Sequence, residues 1–221
     1  EKSFTSYASH EFRTPLAVLK GTLEVLIRKP RSQEEYEEKV TYCIKEIDRL
    51  NHLVDDLLIL TRFENQKQSL HIDTVKIDSV IKDALKYLSA NIQQKNIDID
   101  YLSFSDDIDI QTDKYLFTTI LSNILSNAIK YSHSKGRVGI QLQKENNAII
   151  CEVKDAGIGI PEKDMEKIFD KFYRSADRAE IKGFGLGLSI VKRFCSLLNI
   201  EVEFFSREGI GTTVRLRIPQ S

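Results

Sequence analysis

Cysteine is scarce, charge is nearly balanced and long apolar runs are missing from this chain of 221 residues. The three cysteines, Cys43, Cys151 and Cys195, are odd in number, far apart and set in apolar periodic segments. That excludes a disulfide framework and predicts reduced core residues in a reducing compartment. A formal net charge of -1 removes any electrostatic case for nucleic acid or an anionic membrane surface as partner. No apolar stretch approaches the ~20 residues of a membrane span, nothing at the N-terminus reads as a signal peptide, and no internal repeat or low-complexity segment occurs. The chain opens in helical character at Glu1, so the expectation is a fragment of something longer. What is there is an ordinary apolar fraction of 41% over a length that suits one substantial domain plus a smaller element.

The chain is organised around Ser9-His10-Glu11-Phe12-Arg13-Thr14-Pro15-Leu16. Phe4, Ala8, Phe12, Leu16, Leu19, Leu23 and Leu26 are spaced three or four apart, which predicts an amphipathic helix with a bundle-type seam. At ~100° per residue His10 lies roughly 160° from Phe12 and within about 40° of Thr14, so both face outward. A lone histidine is commonly a satisfied core residue; the helical phase argues against that here. Glu11 is placed to accept from one ring nitrogen and fix the tautomer, given a favourable rotamer. Thr14 offers a hydroxyl that can orient a water. Pro15 cannot donate to the carbonyl of Glu11, so a bend or local loosening is expected there.

This helix should end near Lys29-Pro30, with Ser32 capping the next. Tyr36, Val40, Cys43, Ile47, Leu50, Val54, Leu57 and Thr61 then alternate steps of four and three, a heptad seam widened by Ile44, Leu53 and Leu58. Two helices on a short turn make a hairpin. Two hairpins packed as a four-helix bundle would bury both stripes, so a homodimer is the economical expectation; packing of the hairpin on its own chain is the alternative. Periodicity is lost over the polar stretch Phe63 to Ser69, which marks a domain boundary: 1–66 helical, 67–221 mixed. Beyond it come a strand at Leu70 to Ile77, a helix capped by Asp78 and running to about Lys95, and short strands at Ile97 to Tyr101 and Ile108 to Ile110. A helix from about Asp113 to Ser132 follows, then strands at Val138 to Gln143 and Ala148 to Lys154 and a short helix after Pro161. A helix from about Gly185 to Leu198 and strands at Glu201 to Phe205 and Thr212 to Ile218 complete the chain. The fold class is α+β: an antiparallel helical hairpin, then an α/β two-layer sandwich with a mixed sheet covered on one face by helices.

Three segments carry chemistry. Asn123, Asn127, Lys130 and Tyr131 share a sector about 100° wide on one helix, where amide oxygens suit Mg²⁺ and the ammonium suits phosphate. A solvent face is the default for such a sector, but asparagine is a mediocre helix former with no reason to recur on one. In the strand at Ile149 to Asp155, Asp155 points to the same side as Cys151 and Val153, toward the apolar layer, and an inward carboxylate needs a donor. Gly157 and Gly159 follow and allow close approach of a planar ligand with an exocyclic amino group, such as adenine; a β-turn with a structural carboxylate is the competing reading. Lys182-Gly183-Phe184-Gly185-Leu186-Gly187-Leu188 opens a helix, so its backbone N–H groups can cradle an anion. The run is not a Walker A sequence and departs from the dinucleotide fingerprint. The polar stretch Arg174 to Lys182 before it suits a mobile lid.

Taken together, these motifs resemble the catalytic core of a bacterial sensor histidine kinase of two-component signalling, over the whole of residues 1–221. Ser9 to Leu16 resembles the phospho-acceptor box, with Phe12 where leucine is more usual. Asn123 to Ser132 resembles the asparagine box, Asp155 to Gly159 the first glycine box, Phe169 to Arg174 the phenylalanine box, and Gly183 to Leu188 the second glycine box. The resemblance implies a dimerisation and histidine phosphotransfer hairpin, then an ATP-binding domain of the Bergerat (GHKL) fold shared with gyrase-type and chaperone ATPases. It implies His10 as phospho-acceptor, Glu11 and Thr14 as its helpers, and Asn127 as the Mg²⁺ ligand. It also implies Lys130 on phosphate, Asp155 on the adenine amino group, and Asn123, Tyr131, Gly157, Gly159, Lys182, Gly183, Gly185, Leu186 and Gly187 around ATP. The implied reaction moves the γ-phosphoryl of ATP to histidine and then to an aspartate of a response regulator, with dephosphorylation of that regulator in many members. The implied setting is a cytoplasmic portion of a parent anchored in the bacterial plasma membrane. A GHKL-type ATPase without a phosphoprotein, or a pseudokinase scaffold, is the alternative.

Overall fold

The computed structural model describes residues 2–64, 69–103, 108–145, 147–175 and 183–220; for 2–6, 63 and 64 it describes the backbone alone. Residues 65–68 of the boundary stretch Phe63 to Ser69, the seam side chain of Phe4, Lys182 and most of the expected lid therefore lie outside the described residues. The chain divides into two compact units, Glu1–Gln68 and Ser69–Ser221.

The first unit is a hairpin of α1 (Lys2–Ile27) and α2 (Gln33–Glu64). A capping box starts α2: the Ser32 hydroxyl accepts from the Glu35 N–H at 3.2 Å while a Glu35 oxygen accepts from the Ser32 N–H at 3.3 Å. Two orphan donors of the first turn are thereby satisfied, which is why the chain re-enters helix so soon after Pro30. The first helix stops at Ile27, earlier than the proline alone suggested, and it runs unbroken through Pro15 rather than loosening there. Inside the hairpin the buried side chains are Pro15, Leu19 and Leu26 on one helix and Cys43, Glu46, Leu53 and Leu60 on the other. Leu16, Leu23, Ile47 and Val54, also on the expected seam, stay 40–52% exposed. The apolar stripe is thus wider than one contact. Its inner edge joins the two helices and its outer edge is left open.

The second unit begins with β1 (Ile72–Lys76), paired antiparallel with β3 (Asp109–Asp113) in a sheet of two strands. The helix expected between Asp78 and Lys95 is two helices, α3 (Ile77–Tyr87) and α4 (Ser89–Lys95), parted at Leu88. Asp78 does not cap it: it sits in the first turn and accepts from the Tyr101 hydroxyl, with Lys76 at the cap position. The main sheet has the order β2-β4-β5-β7-β6, with β2 (Asp98–Ser103) parallel to β4 (Arg137–Glu145) and antiparallel pairs throughout the rest. Its central strand is β5 (Ala148–Asp155), flanked by β4 and by β7 (Gly211–Pro219), with β6 (Glu201–Arg207) at the edge.

Between β3 and β4 runs α5 (Lys114–Tyr131), and α6 (Gly187–Leu197) precedes β6. Asp113, the approximate start expected for this helix, caps α5, accepting from the N–H groups of Tyr115 and Leu116 at 3.0 and 3.1 Å. Phe117, Leu121, Ile124, Leu125 and Ala128 of α5 and Ile190 and Phe194 of α6 are buried, as are Ile140, Leu142, Cys151 and Val153 of the sheet. The segment after Pro161 is a single 3-10 turn, Glu162–Asp164. The two-layer sandwich with a mixed sheet stands as expected.

Candidate active site

The site of the second unit forms where α5 faces the carboxyl end of β5. A cleft there is lined by Asn127 and Tyr131 of α5, by Asp155 at the end of β5, by Gly159, and by apolar side chains including Ile124, Val153, Ile160 and Leu188. Two buried carboxylates line it, Asp155 and Asp164, and Asp164 accepts from the Tyr173 hydroxyl at 2.8 Å. The surroundings of Asp155 differ: its Oδ1 accepts from the N–H of Gly157 at 2.9 Å and of Thr212 at 3.3 Å, and Thr212 is its cross-strand partner on β7. Burial raises the Asp155 carboxyl above its ordinary value, and the two backbone donors only partly offset this. Among the described residues Oδ2 accepts no hydrogen bond, so one oxygen of a buried carboxylate remains for a ligand donor.

The glycines are placed by what surrounds them. A Cβ on Gly157 would collide with the carbonyl of Tyr131, and one on Gly159, whose φ is +64°, with the carbonyl of Arg207. The loop after β5 is therefore pressed between the end of α5 and the turn joining β6 to β7. It is held there by bonds from the Ile158 N–H to the Tyr131 carbonyl and from the Ile160 N–H to the Ser206 hydroxyl.

The second glycine run lies along the polar sector of α5. A Cβ on Gly183 would come within 2.5 Å of the Lys130 ammonium, and one on Gly187 would collide with the Asn123 side-chain oxygen. Gly185 (φ +72°) abuts the backbone of Phe172 and Tyr173, and its carbonyl accepts from the Phe172 N–H at 2.9 Å. The Lys130 ammonium also sits 4.8 Å from the centre of the Tyr131 ring. Asn123 donates to the Thr119 carbonyl at 3.0 Å, which leaves its oxygen on the Gly187 side. Leu186 is buried, so only its backbone is available to a ligand. Of the sequence-selected positions, Asn127, Tyr131, Asp155 and Gly159 line the cleft, Gly157, Gly183 and Gly187 lie against Tyr131, Lys130 and Asn123 of α5, Gly185 packs on Phe172 and Tyr173, and Lys182 lies outside the described residues.

These residues fit a purine nucleotide: an apolar slot with the hydrogen-bond-accepting Asp155 carboxylate, together with an ammonium and a helix-opening glycine run. For Mg²⁺, no cluster of three or more acidic, histidine or cysteine side chains occurs among the described residues. The donor set that fits a hard cation is the amide oxygen of Asn127 together with phosphate oxygens of the nucleotide.

Tyr173 and Arg174, from the segment that resembles the phenylalanine box, also line the cleft, as do Thr212, Val214, Phe204 and Asp164, and sequence reasoning missed the last four. For Thr212 a signal existed in the pair Gly209 and Gly211 that opens the last strand, since a Cβ on Gly211 would strike the Asp155 carbonyl.

In the hairpin His10 is exposed, Glu11 half-buried and Thr14 exposed. The Thr14 hydroxyl donates to the His10 carbonyl at 3.3 Å, the usual back-bond of a helical threonine. Among the described residues no hydrogen bond joins Glu11 to the His10 ring; the rotamer that would make one is not adopted here.

Residues 112–221 match the family model described as "Histidine kinase-, DNA gyrase B-, and HSP90-like ATPase", and residues 1–66 match the "His Kinase A (phospho-acceptor) domain". The sensor histidine kinase WalK of Bacillus subtilis is 33% identical over 99% of this chain and 36% of its own length. The signal transduction histidine-protein kinase ArlS of Staphylococcus aureus is 31% identical over 98% of this chain and 48% of its own length. The chain therefore spans half or less of these curated relatives. In fold it is like the histidine kinase ThkA, solved in complex with response regulator protein TrrA, with a TM-score of 0.79, 22% identity, and coverage of 99% of this chain and 61% of that one. ATP is the ligand of the family to which the second unit's model belongs. On two family models, one falling in each unit, and on relatives matching nearly its whole length, the chain belongs to the sensor histidine kinases.

Proposed function

We propose that the chain is the kinase core of a two-component system, which binds Mg²⁺-ATP in the α/β unit, moves the γ-phosphoryl to His10 and passes it to an aspartate of a response regulator. The observation that carries this reading is the cleft in which Asn127, Tyr131 and Asp155 converge while Gly183 and Gly187 lie along Lys130 and Asn123. In this reading the free Oδ2 of Asp155 accepts from the adenine amino group, Lys130 and the N–H groups at the start of α6 hold phosphate, and Asn127 ligates the metal. When bound, Mg²⁺ supplies neutralising charge on the phosphates.

A ring nitrogen of His10 donates its lone pair to the γ-phosphorus in line, the bond to the bridging oxygen breaks, and ADP leaves with that electron pair. Glu11 accepts a hydrogen bond from the proton-bearing ring nitrogen and stabilises the positive charge that develops on the imidazole. The exposure of His10 suits both this attack and the later one, in which an aspartate oxygen of the regulator takes the phosphoryl group. In the reverse sense, the Thr14 hydroxyl leaves the His10 carbonyl to hold the water that hydrolyses the regulator's phosphoryl group; Thr14→Ala then keeps autophosphorylation and slows dephosphorylation, and an unchanged phosphatase rate removes Thr14 from the mechanism. The open outer stripe of the hairpin supports a homodimeric four-helix bundle. The test of the whole reading is incubation with γ-labelled ATP: an acid-labile, base-stable phosphoprotein is expected, and ATP hydrolysis without one overturns it.

A further inference from the structure

The C-terminus of α5 has an unusual set of partners. A helix leaves its last four carbonyls without intrahelical donors, here those of residues 128–131. The Ala128 carbonyl accepts from the N–H and the hydroxyl of Ser132, and the Tyr131 carbonyl from the Ile158 N–H. The two between them, Ile129 and Lys130, accept from one ammonium, that of Lys95 at the end of α4, at 3.3 and 2.5 Å. The same ammonium donates to the Ser132 carbonyl at 3.0 Å, and the Lys95 carbonyl accepts from the Lys135 N–H at 2.8 Å. Lys95 thus closes both sides of the loop that follows α5. It is half-buried, and burial lowers its ammonium below the ordinary lysine value.

A cation at this place has a consequence for Lys130, which stands in the last turn of the same helix. Lysines there tend to fold back onto the last carbonyls and the negative end of the helix dipole. Because Lys95 already occupies the carbonyls of residues 129 and 130, the Lys130 ammonium lies instead beside Gly183, at the mouth of the glycine run. We propose that Lys95 is a positioning residue for phosphate binding: it caps α5 from outside the cleft and so keeps the Lys130 ammonium directed at the phosphates of ATP. The proposal rests on the reading of the cleft as an ATP site.

The experiment uses the full chain and compares binding of a non-hydrolysable Mg²⁺-ATP analogue with binding of adenosine, by calorimetry. Lys95→Met should weaken the triphosphate by about tenfold, the value of one charged hydrogen bond, and leave adenosine within about twofold. Lys95→Arg, which can still donate to several carbonyls, should restore the triphosphate. A merely structural role predicts neither the split between ligands nor the rescue. If Lys95→Met binds the triphosphate as the unaltered chain does, or loses both ligands equally, the proposal is overturned. Should Lys95→Met lose its cooperative melt, Lys95→Gln takes its place under the same criteria. If the unaltered chain binds neither ligand, the ATP-site reading fails and the proposal falls with it; if it binds both and the Met variant is unaffected, the Lys95 assignment alone fails.

Discussion

Leu121, Leu125, Ile140, Leu142 and Phe194 of the α/β unit are fully enclosed by their own chain, whereas Leu16, Leu23, Ile44, Ile47 and Leu58 of the hairpin are about half or more exposed. Both units are built from apolar stripes of normal strength; they differ in where the stripe finds its partner. A sheet with helices on one face closes a core within a single chain. Two helices cannot, because each carries a stripe wider than one helix contact covers. The α/β unit is therefore complete as a ligand-binding body, and the hairpin is complete only with something laid against it. The difference also separates the chemistry: the residues proposed to hold nucleotide line a cleft of the α/β unit, and the proposed acceptor His10 stands exposed on a two-helix scaffold.

The largest effect tests that separation. His10→Gln is expected to abolish labelling by γ-labelled ATP while nucleotide affinity stays within about twofold, since the removed group makes at most an ordinary surface contribution. Labelling that survives would move the acceptor elsewhere. Next, Asp155→Asn should lower nucleotide affinity roughly thirtyfold, because a charged acceptor worth about 2 kcal/mol becomes an amide that can present a donor to the adenine amino group. Unchanged affinity would mean that the base sits away from Asp155.

The same carboxyl gives a pH test with two opposite signs. Its raised value means that the native empty unit binds this proton more readily than the unfolded chain does. The contribution of Asp155 to stability therefore rises as pH falls through the raised value. Nucleotide affinity needs the ionised acceptor and falls over the same window, which lies above that of an ordinary aspartate. Melts and binding titrations from neutral to mildly acid pH should move in opposite directions; parallel movement would show that another group dominates.

On the hairpin side, Leu23→Glu with Ile47→Glu should weaken self-association at least tenfold, since each exposed leucine or isoleucine contributes about 1.5–3 kcal/mol when covered. Analytical ultracentrifugation measures it. An unweakened dimer would place the interface on another face.

Much of this was legible because it is local. The Ser32 cap, the inward phase of Asp155 and the shared sector of Asn123, Asn127 and Lys130 depend on spacings of a few residues, and each recurs in the structure. What was not legible depends on long-range register. Thr212 reaches Asp155 across 57 residues and Lys95 reaches the end of α5 across 34 to 37, and nothing in either local sequence announces the other. The frame of the α2 seam was mixed for a related reason. A sequence shows how wide an apolar stripe is, but which edge meets α1 depends on the hairpin turn, and Cys43, Glu46, Leu53 and Leu60 took the inner edge. The break at Leu88 escaped because Tyr87, Leu88 and Ser89 hold no proline or glycine to mark it.

The smallest expected effect asks whether the two units are energetically separate. Ser32→Ala removes the hydroxyl that accepts from the Glu35 N–H and leaves a first-turn donor of α2 to water. The Glu35 carboxylate keeps its pairing with Arg31 at 3.5 Å. The loss of such a cap costs about 1 kcal/mol. In a unit the size of the hairpin that lowers the melting temperature by roughly 4–8 °C, whereas an independent α/β unit should not register it. Calorimetry of the intact chain should then show two transitions, of which only one responds to Ser32→Ala and only the other rises when the ATP analogue is added. If one transition moves with both perturbations, the units unfold as a single cooperative body, and the contrast drawn between a self-sufficient nucleotide unit and a dependent hairpin does not survive as a statement about energy.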